Sequence, residues 1–220
     1  MESPVHQYRG FLPGWLLLDK LDAPPQVSTS TSTVYLLSIS LLTAVSILVI
    51  RLFVRRDYMQ RGQLTVGSTF LQTFIFFIYG GYPIIYLPGD WPETQVNLTI
   101  QVAGFASLTI GLSILLLGIF RLGILQSLGL NPGRLKKTDF YRLTRNPQVL
   151  GCFLYVIGFM MLWPSGYAFS WGLSLMAIIH VMVLTEEEHL RNTYGQDYEQ
   201  YCKSVPRYLG FPKKPERDKF

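Results

Sequence analysis

Tyr141-Arg142-Leu143-Thr144-Arg145-Asn146-Pro147 decides the fold of this chain, together with the later stretch Thr185-Glu186-Glu187-Glu188-His189-Leu190. The apolar segment between them is interrupted at Pro164-Ser165-Gly166, a combination that favours a tight turn. We therefore expect a helical hairpin that brings the cations and the Asn-Pro pair of the first stretch close to the carboxylates of the second. Charges grouped at one end of an apolar hairpin indicate a site for a polar, cationic ligand that enters from the water.

The composition is that of a membrane protein. Of the 220 residues, 49% are hydrophobic and 15% charged, well below the roughly 25% of charged residues in a typical soluble domain. Long apolar segments at about 1.5 Å per residue can cross a hydrocarbon core of about 30 Å. We predict an all-α, polytopic membrane protein with about five transmembrane helices, the last two forming the short hairpin. The predicted spans are residues 34–50, 69–87, 96–120, 148–163 and 167–184.

The basic residues orient the chain. All 19 Lys and Arg residues except Arg9 and Lys20 lie in segments 51–63, 121–146 and 185–219. This alternation predicts a multi-pass integral membrane protein with a cytosolic C-terminus. It also explains the net charge of +5 without nucleic acid as a partner, since no soluble basic domain is present to bind one. Cys152 falls in a span and Cys202 in the tail, so we predict neither a disulfide nor a metal site.

Four regions follow from these patterns. Residues 1–33 form an N-terminal interfacial and linker segment, with a leucine-rich stretch at 11–21 and a loose Ser/Thr linker at 26–33. Residues 34–120 form a three-helix membrane region. Residues 121–212 hold the hairpin and the cytosolic tail that together form the candidate site, and residues 213–220 are a basic tail.

The hairpin ends supply the candidate site residues. Asn146-Pro147 indicates a helix start with Asn as the cap, and its free N–H groups favour an anion such as a ligand carboxylate. The alternative is an ordinary cap on lipid phosphates. Glu186 and Glu187 either neutralise Arg145 or bind the ammonium or sulfonium of a ligand, and they cannot point the same way because a helix separates them by about 100°.

Two further readings of these residues stay open. Glu187 and Glu188 can equally form a solvated helix face, with Glu187–Arg191 as an ordinary i,i+4 pair. His180 lies at membrane depth on the same helical face as Glu187. It is a functional candidate on that ground, or else a neutral histidine hydrogen-bonded to a neighbouring helix.

The C-terminal half, from about Gln126 to Phe211, resembles the isoprenylcysteine carboxyl methyltransferases and the small membrane methyltransferases related to them. The matching positions are Tyr141, Arg145, Asn146, Pro147, Gly151, Glu186, Glu187, Tyr194, Gly195, Tyr198, Tyr201, Val205, Pro206 and Arg207. The resemblance implies an S-adenosyl-L-methionine-dependent methyltransferase without a Rossmann domain. It implies a donor pocket under the C-terminal tail, and a lipophilic or prenylated acceptor that enters from the membrane lipids.

The resemblance also implies donor-binding roles. The expected donor-binding residues are Gln126, Gly133, Arg134, Leu135, Lys136, Tyr141, Asn146, Pro147 and Glu186, with Glu187 as a second carboxylate. Separately from the resemblance, we expect Arg145, Asn146 and His180 to be catalytic, and His180, Arg145 and Arg191 are the candidates for contact with the acceptor.

Three positions depart from the family pattern. Asn146 replaces a histidine, Val149 replaces a tyrosine, and Met182 replaces the arginine that carboxyl-methylating members place four residues before the first glutamate. A prenylcysteine carboxylate is therefore a less suitable acceptor. Two alternatives remain, namely an NADPH-dependent membrane lipid or steroid reductase whose cofactor phosphate meets Arg134, Lys136 and Lys137, and a non-enzymatic membrane protein that retains the fold.

Overall fold

The computed structural model describes residues 29–86, 96–131, 133, 135, 137 and 139–210, and every regular element in these ranges is helical. The chain divides into two compact units, Met1–Val34 and Tyr35–Phe220, and the contacts below lie within the second. The elements are α1 (Thr29–Val49), a π-helical segment (Ile50–Val54), α2 (Arg55–Arg61), α3 (Val66–Tyr86), α4 (Leu98–Leu122), α5 (Ile124–Ser127), a 3-10 turn (Asp139–Arg142), α6 (Pro147–Leu162), α7 (Gly166–Tyr194) and α8 (Gln196–Ser204).

Three helices of the described chain are long and apolar enough to cross a membrane: Ser32–Arg61, Leu98–Leu122 and Gly166–Tyr194. Their outward faces carry large apolar side chains, such as Leu37 at 66% exposure and Phe120 at 72%. Such surface is stable against lipid rather than water. Helix α6 is a shorter apolar helix, and α3 is uncharged over its 21 residues. The count of five spans stays a prediction.

Helices α4 and α6 pack antiparallel through glycine. A Cβ atom at Gly111 would lie 2.7 Å from the carbonyl oxygen of Gly151, and one at Gly158 would lie 2.7 Å from that of Gly104. The two backbones therefore touch directly, as small residues allow between membrane helices. This contact places the end of α4 beside the start of α6.

Helix α7 is held by hydrogen bonds to α1 and α3. The Tyr35 hydroxyl donates to the carbonyl of Tyr167 at 2.6 Å, and Trp171 Nε1 donates to the carbonyl of Tyr79 at 2.8 Å. Near the other end of α7, Arg55 pairs with Glu188. Helices α1 and α7 thus run in the same direction, and their charged ends meet where α4 ends and α6 begins.

One boundary prediction is wrong. Residues 29–33 belong to α1 rather than to a loose linker, because the weak helix propensity of Ser and Thr is outweighed when an apolar helix continues directly after them. The predicted fifth span, residues 167–184, lies within α7, which runs unbroken to Tyr194 over 29 residues. At about 43 Å it exceeds a hydrocarbon core, so Glu186–Glu188 extend beyond the apolar part of the helix. The predictions for residues 1–28 and 211–220 lie outside the described residues.

Candidate functional site

A cavity opens at the charged end of the helices, between the ends of α4 and α5, the start of α6, the second half of α7, and α8. Its empty space, counted together with the open mouth, is about 1050 Å³. The predicted site residues that line it are Gln126, Leu135, Tyr141, Arg145, Asn146, Pro147, Glu186 and Glu187. Arg134 and Lys136 lie outside the described residues.

Glu187 is the centre of a buried ion cluster. Its carboxylate, only 2% exposed, accepts from Arg207 Nε at 2.9 Å and Nη2 at 2.7 Å. Arg145 Nη1 lies 3.0 Å from the other side of the group, and Arg191 Nη2 lies 3.5 Å away. A bidentate arginine and a second close cation are what a buried carboxylate requires. The solvated-face interpretation is therefore wrong for Glu187, and its neutralisation of Arg145 is confirmed.

Glu186 has different surroundings. It is half-buried in the cavity wall, and no described residue donates a hydrogen bond to its carboxylate or forms an ion pair with it. The helical rotation of about 100° turns Glu187 into the arginine cluster and leaves Glu186 facing the cavity. An unpaired carboxylate in such a place favours a cationic group. Glu187 lines the same cavity, but its oxygens are engaged by arginine.

Glu188 is paired as well, although it is not buried. Its carboxylate binds Arg55 through two nitrogens and lies 3.8 Å from Arg51 Nη1. The three consecutive acids therefore differ in their partners, and Glu186 is the member available to a ligand.

Tyrosines form the wall next to the tail. The Tyr201 hydroxyl donates to the carbonyl of Tyr141 at 2.7 Å, and the Tyr194 hydroxyl donates to that of Gly133 at 2.9 Å. Burial raises the pKa of Tyr141 and of Tyr201, so both phenols are neutral near pH 7.

Gly133 has a φ of +55°, and a Cβ there would lie 2.7 Å from Gln126 Oε1. Only glycine fits this position without displacing Gln126.

The start of α6 is fastened to the C-terminal strap, which we define as residues 205–208. Helix α6 begins at Pro147 as predicted, but Asn146 makes no side-chain capping hydrogen bond. Its Nδ2 instead donates to the carbonyl of Arg207 at 3.1 Å, so Asn146 occupies the predicted N-cap position without a side-chain capping bond. Arg145 N donates to the carbonyl of Pro206 at 2.9 Å, and Thr144 Oγ1 to that of Arg207 at 3.0 Å. The strap thus binds the side-chain amide of Asn146 through its Nδ2.

Two histidines differ from the sequence interpretation. His180 Nδ1 lies 2.8 Å from the Tyr208 hydroxyl, which fits the alternative of a hydrogen-bonded histidine, with the strap as partner instead of a helix. The described cavity lining does not include it, and its role near the acceptor stays a prediction. His189, in contrast, lines the cavity and stacks on Tyr58 at 4.7 Å between ring centroids. Its spacing three residues after Glu186, on one helical face, was the signal that could have found it.

The side of the cavity toward the bilayer is apolar. Leu122, Val149 and Met182 form it, so two of the three departures from the family pattern lie here. Arg145 is the cation of the described lining apart from His189, and Glu187 already neutralises it. This side suits an apolar or uncharged group better than an anion.

Comparison with known proteins finds a similarity to one family model. Residues 99–197 match the family model described as phospholipid methyltransferase. The matched range runs from α4 into α8, and so contains most of the elements that form the cavity. No curated protein and no solved structure matches the chain.

Proposed function

We propose, from the match of residues 99–197 to the phospholipid methyltransferase family model, that this protein transfers a methyl group from S-adenosyl-L-methionine to a lipophilic acceptor. The family and the apolar helices together indicate a membrane methyltransferase. The donor and the acceptor class are our proposal and rest on the residues of the cavity.

The observation that carries the proposal is the contrast between Glu186 and Glu187. Every strong interaction of Glu187 is with arginine, whereas Glu186 faces the cavity without a partner among the described residues. An amino-acid ammonium would fit Glu186 by charge, and the N-terminus of α6 suits the matching carboxylate. Tyr141 offers an aromatic surface to a sulfonium or an adenine. The residues present therefore fit this donor.

The chain acts by positioning and by excluding water. S-Adenosyl-L-methionine supplies an activated methyl group, which an oriented nucleophile can take directly in a dry site. Glu186 and Tyr141 hold the polar side of the site, and Leu122, Val149 and Met182 provide the face along which an acceptor reaches it from the bilayer. A phospholipid amine or a small lipophilic thiol fits this face. A prenylcysteine carboxylate fits it poorly, because Met182 supplies no positive charge.

Thermal unfolding of the detergent-purified protein with three ligands tests the donor. A ligand at 100 times its dissociation constant adds about 2.7 kcal/mol of stability, so S-adenosylmethionine and S-adenosylhomocysteine should both raise the unfolding temperature. NADPH should not. A shift with NADPH alone would support the reductase alternative, and no shift with any ligand would support a non-enzymatic membrane protein.

The variant Glu186→Gln locates the site in the same experiment. It removes the charge that binds the ammonium and leaves the ion cluster intact, so the unfolding temperature without ligand should hardly change while the shift caused by S-adenosylmethionine disappears. Glu188→Gln is the matched control because Glu188 faces Arg55 outside the cavity, and it should keep the ligand shift. Unchanged donor affinity in Glu186→Gln would refute the assigned site.

A further inference from the structure

A second cavity lies at the corner where α2 leads into α3. Phe53 lines it from the π-helical segment, Arg56 and Arg61 line it from α2, and Gly67, Phe70 and Leu71 line it from α3. It shares no residue with the lining of the methyl-donor cavity. Neither the sequence patterns nor the proposed methyl transfer explains this second cavity.

The cavity has an apolar edge and a cationic edge. Phe53 and Phe70 are 50% and 66% exposed, and both lie toward the apolar parts of their helices. Arg56 follows Phe53 by three residues, so the two side chains lie on one helical face with the arginine further from the apolar segment. A cavity of this kind matches a molecule with an anionic head and an apolar tail.

The charge of the cavity is positive. Asp57 lines it but is only 8% exposed, and its Oδ2 accepts from the main-chain N–H of Thr65 at 3.0 Å and from the Thr65 hydroxyl. Arg61 Nε is 3.9 Å from Asp57 Oδ1 and its side chain is 62% exposed. The Nε of Arg56 donates to Gln60, a neutral residue, at 3.3 Å. The lining thus carries two guanidinium groups and a single carboxylate that is already hydrogen-bonded.

We propose that this cavity binds one anionic phospholipid of the surrounding membrane. Arg56 and Arg61 receive the headgroup phosphate, and one acyl chain lies along Phe53, Phe70 and Leu71. Arginine recognises phosphate through several planar donors, and basic residues at a membrane surface attract anionic lipids. The apolar edge distinguishes this ligand from free phosphate, which would leave the phenylalanine rings without a contact.

The site also touches the methyl-donor cavity through the protein. Leu64 N donates to the carbonyl of Gly129 at 2.8 Å, and Tyr58 in α2 lines the donor cavity. A lipid that holds the α2–α3 corner therefore braces one wall of that cavity. This binding does not depend on the reaction proposed above, because the residues of the second cavity take no part in it.

Native mass spectrometry of protein released from mixed phosphatidylglycerol and phosphatidylcholine micelles tests the proposal. The wild type should retain phosphatidylglycerol over phosphatidylcholine, and the double variant Arg56→Gln/Arg61→Gln should lower that preference by roughly tenfold or more. Phe70→Ser should also reduce retention without any change in charge. Arg121→Gln is the control, since this arginine ends α4 outside the cavity and should leave retention unchanged.

Three results would overturn the proposal. They are equal retention of the two lipids by the wild type, equal losses in the double variant and in Arg121→Gln, and displacement of the lipid by millimolar inorganic phosphate. The last would indicate a free-anion site. The substituted side chains are largely exposed, so unfolding temperatures without added lipid verify that each variant is folded.

Discussion

The adjacent carboxylates of Glu186 and Glu187 have different partners in this site. Glu187 is paired with the arginine cluster, in which Arg207 from the C-terminal strap makes the shortest contact with its carboxylate, at 2.7 Å. Glu186 is left for the ligand. The cluster joins α6, through Arg145, to α7 and to the strap, so a single carboxylate holds together three parts of the cavity wall. Its neutralisation would affect all three at once.

We expect Glu187→Gln to destabilise the protein. The change leaves Arg145 and Arg207 without their counter-charge in a buried place, and breaking such a pair costs about 3–5 kcal/mol. Thermal unfolding in detergent measures the loss. Glu199→Gln is the control, because Glu199 is exposed on α8 and should change nothing. Equal unfolding temperatures for the two variants would show that the cluster does not hold the site together.

The different orientations of Glu186 and Glu187 could be predicted from the sequence, whereas most of the residues that bind Glu187 could not. A helix must turn Glu186 and Glu187 in different directions, and the hairpin brought them to Arg145. Which of the two faces the cavity depends on the rotation of α7, which buried residues such as Ile179 and Val183 determine by packing. Arg207 and Glu187 lie on opposite sides of the chain reversal at Gly195. No local sequence pattern could therefore predict that they pair. The hydrogen bond of Asn146 Nδ2 to the same strap accompanies the absence of a side-chain capping bond at the N-cap of α6.

At the level of elements, the antiparallel pair of α4 and α6 is the firmest contact beside the site. Gly104, Gly111 and Gly118 recur every seventh residue on α4, and all three are buried. Gly151 and Gly158 repeat the same spacing on α6. At Gly111, Gly151 and Gly158 the nearest atoms across the seam are backbone atoms, so the two helices have little freedom to adjust there. Gly104 and Gly118 pack instead against the side chains of Leu162 and Gln148.

Gly111→Ala should therefore lower stability although alanine favours helices. The new methyl group would overlap the main chain around Gly151, and overpacking typically costs about 1–3 kcal/mol. Gly80→Ala on α3 is the matched control, since a Cβ there meets nothing within 4 Å, and it should be neutral or stabilising. Thermal unfolding compares the two. Equal effects would contradict the close packing of α4 and α6.

The turn before α7 and the all-helical, apolar character of the chain could be predicted from the sequence, but the glycine seam between α4 and α6 could not. Ser165 accepts from the main-chain N–H of Ala168 at 3.2 Å, so the predicted turn at Pro164-Ser165-Gly166 begins α7 with a serine cap. Hydropathy measures how apolar a segment is and does not indicate which face meets a neighbour. The glycine spacing of seven carries that information, and it becomes meaningful once α6 is known to oppose α4.

At the scale of the whole molecule, the ion pairs among the described residues collect at one end. The ion pairs of Arg55 with Glu188, Arg145 with Glu187, and Arg207 with Glu187 all lie there, and so do both cavities discussed above. The distribution of Lys and Arg between the segments indicates that this end faces the cytosol. The described helices alternate in direction consistently with that topology, which itself remains a prediction.

Labelling with a membrane-impermeant maleimide tests the orientation. In a background with Cys152 and Cys202 replaced by serine, Lys203→Cys on α8 should react only after intact cells are permeabilised. Leu98→Cys lies at the opposite end, where α4 begins, with the native side chain 72% exposed, and it should react in intact cells. The reverse pattern would place the site on the outer side of the membrane.

The glycine seam also limits how the acceptor preference of this protein can be altered. Leu122 on α4 and Val149 on α6 line the cavity from two helices whose backbones are in direct contact. This wall of the cavity therefore cannot move to accommodate a bulkier molecule. Met182 belongs to α7, where side chains rather than backbones make the contacts, and methionine is an adaptable side chain. Engineering of the protein for larger acceptors should therefore begin with substitutions at Met182. The α4–α6 wall should be left unchanged, because it limits the width of the acceptor that the cavity can hold.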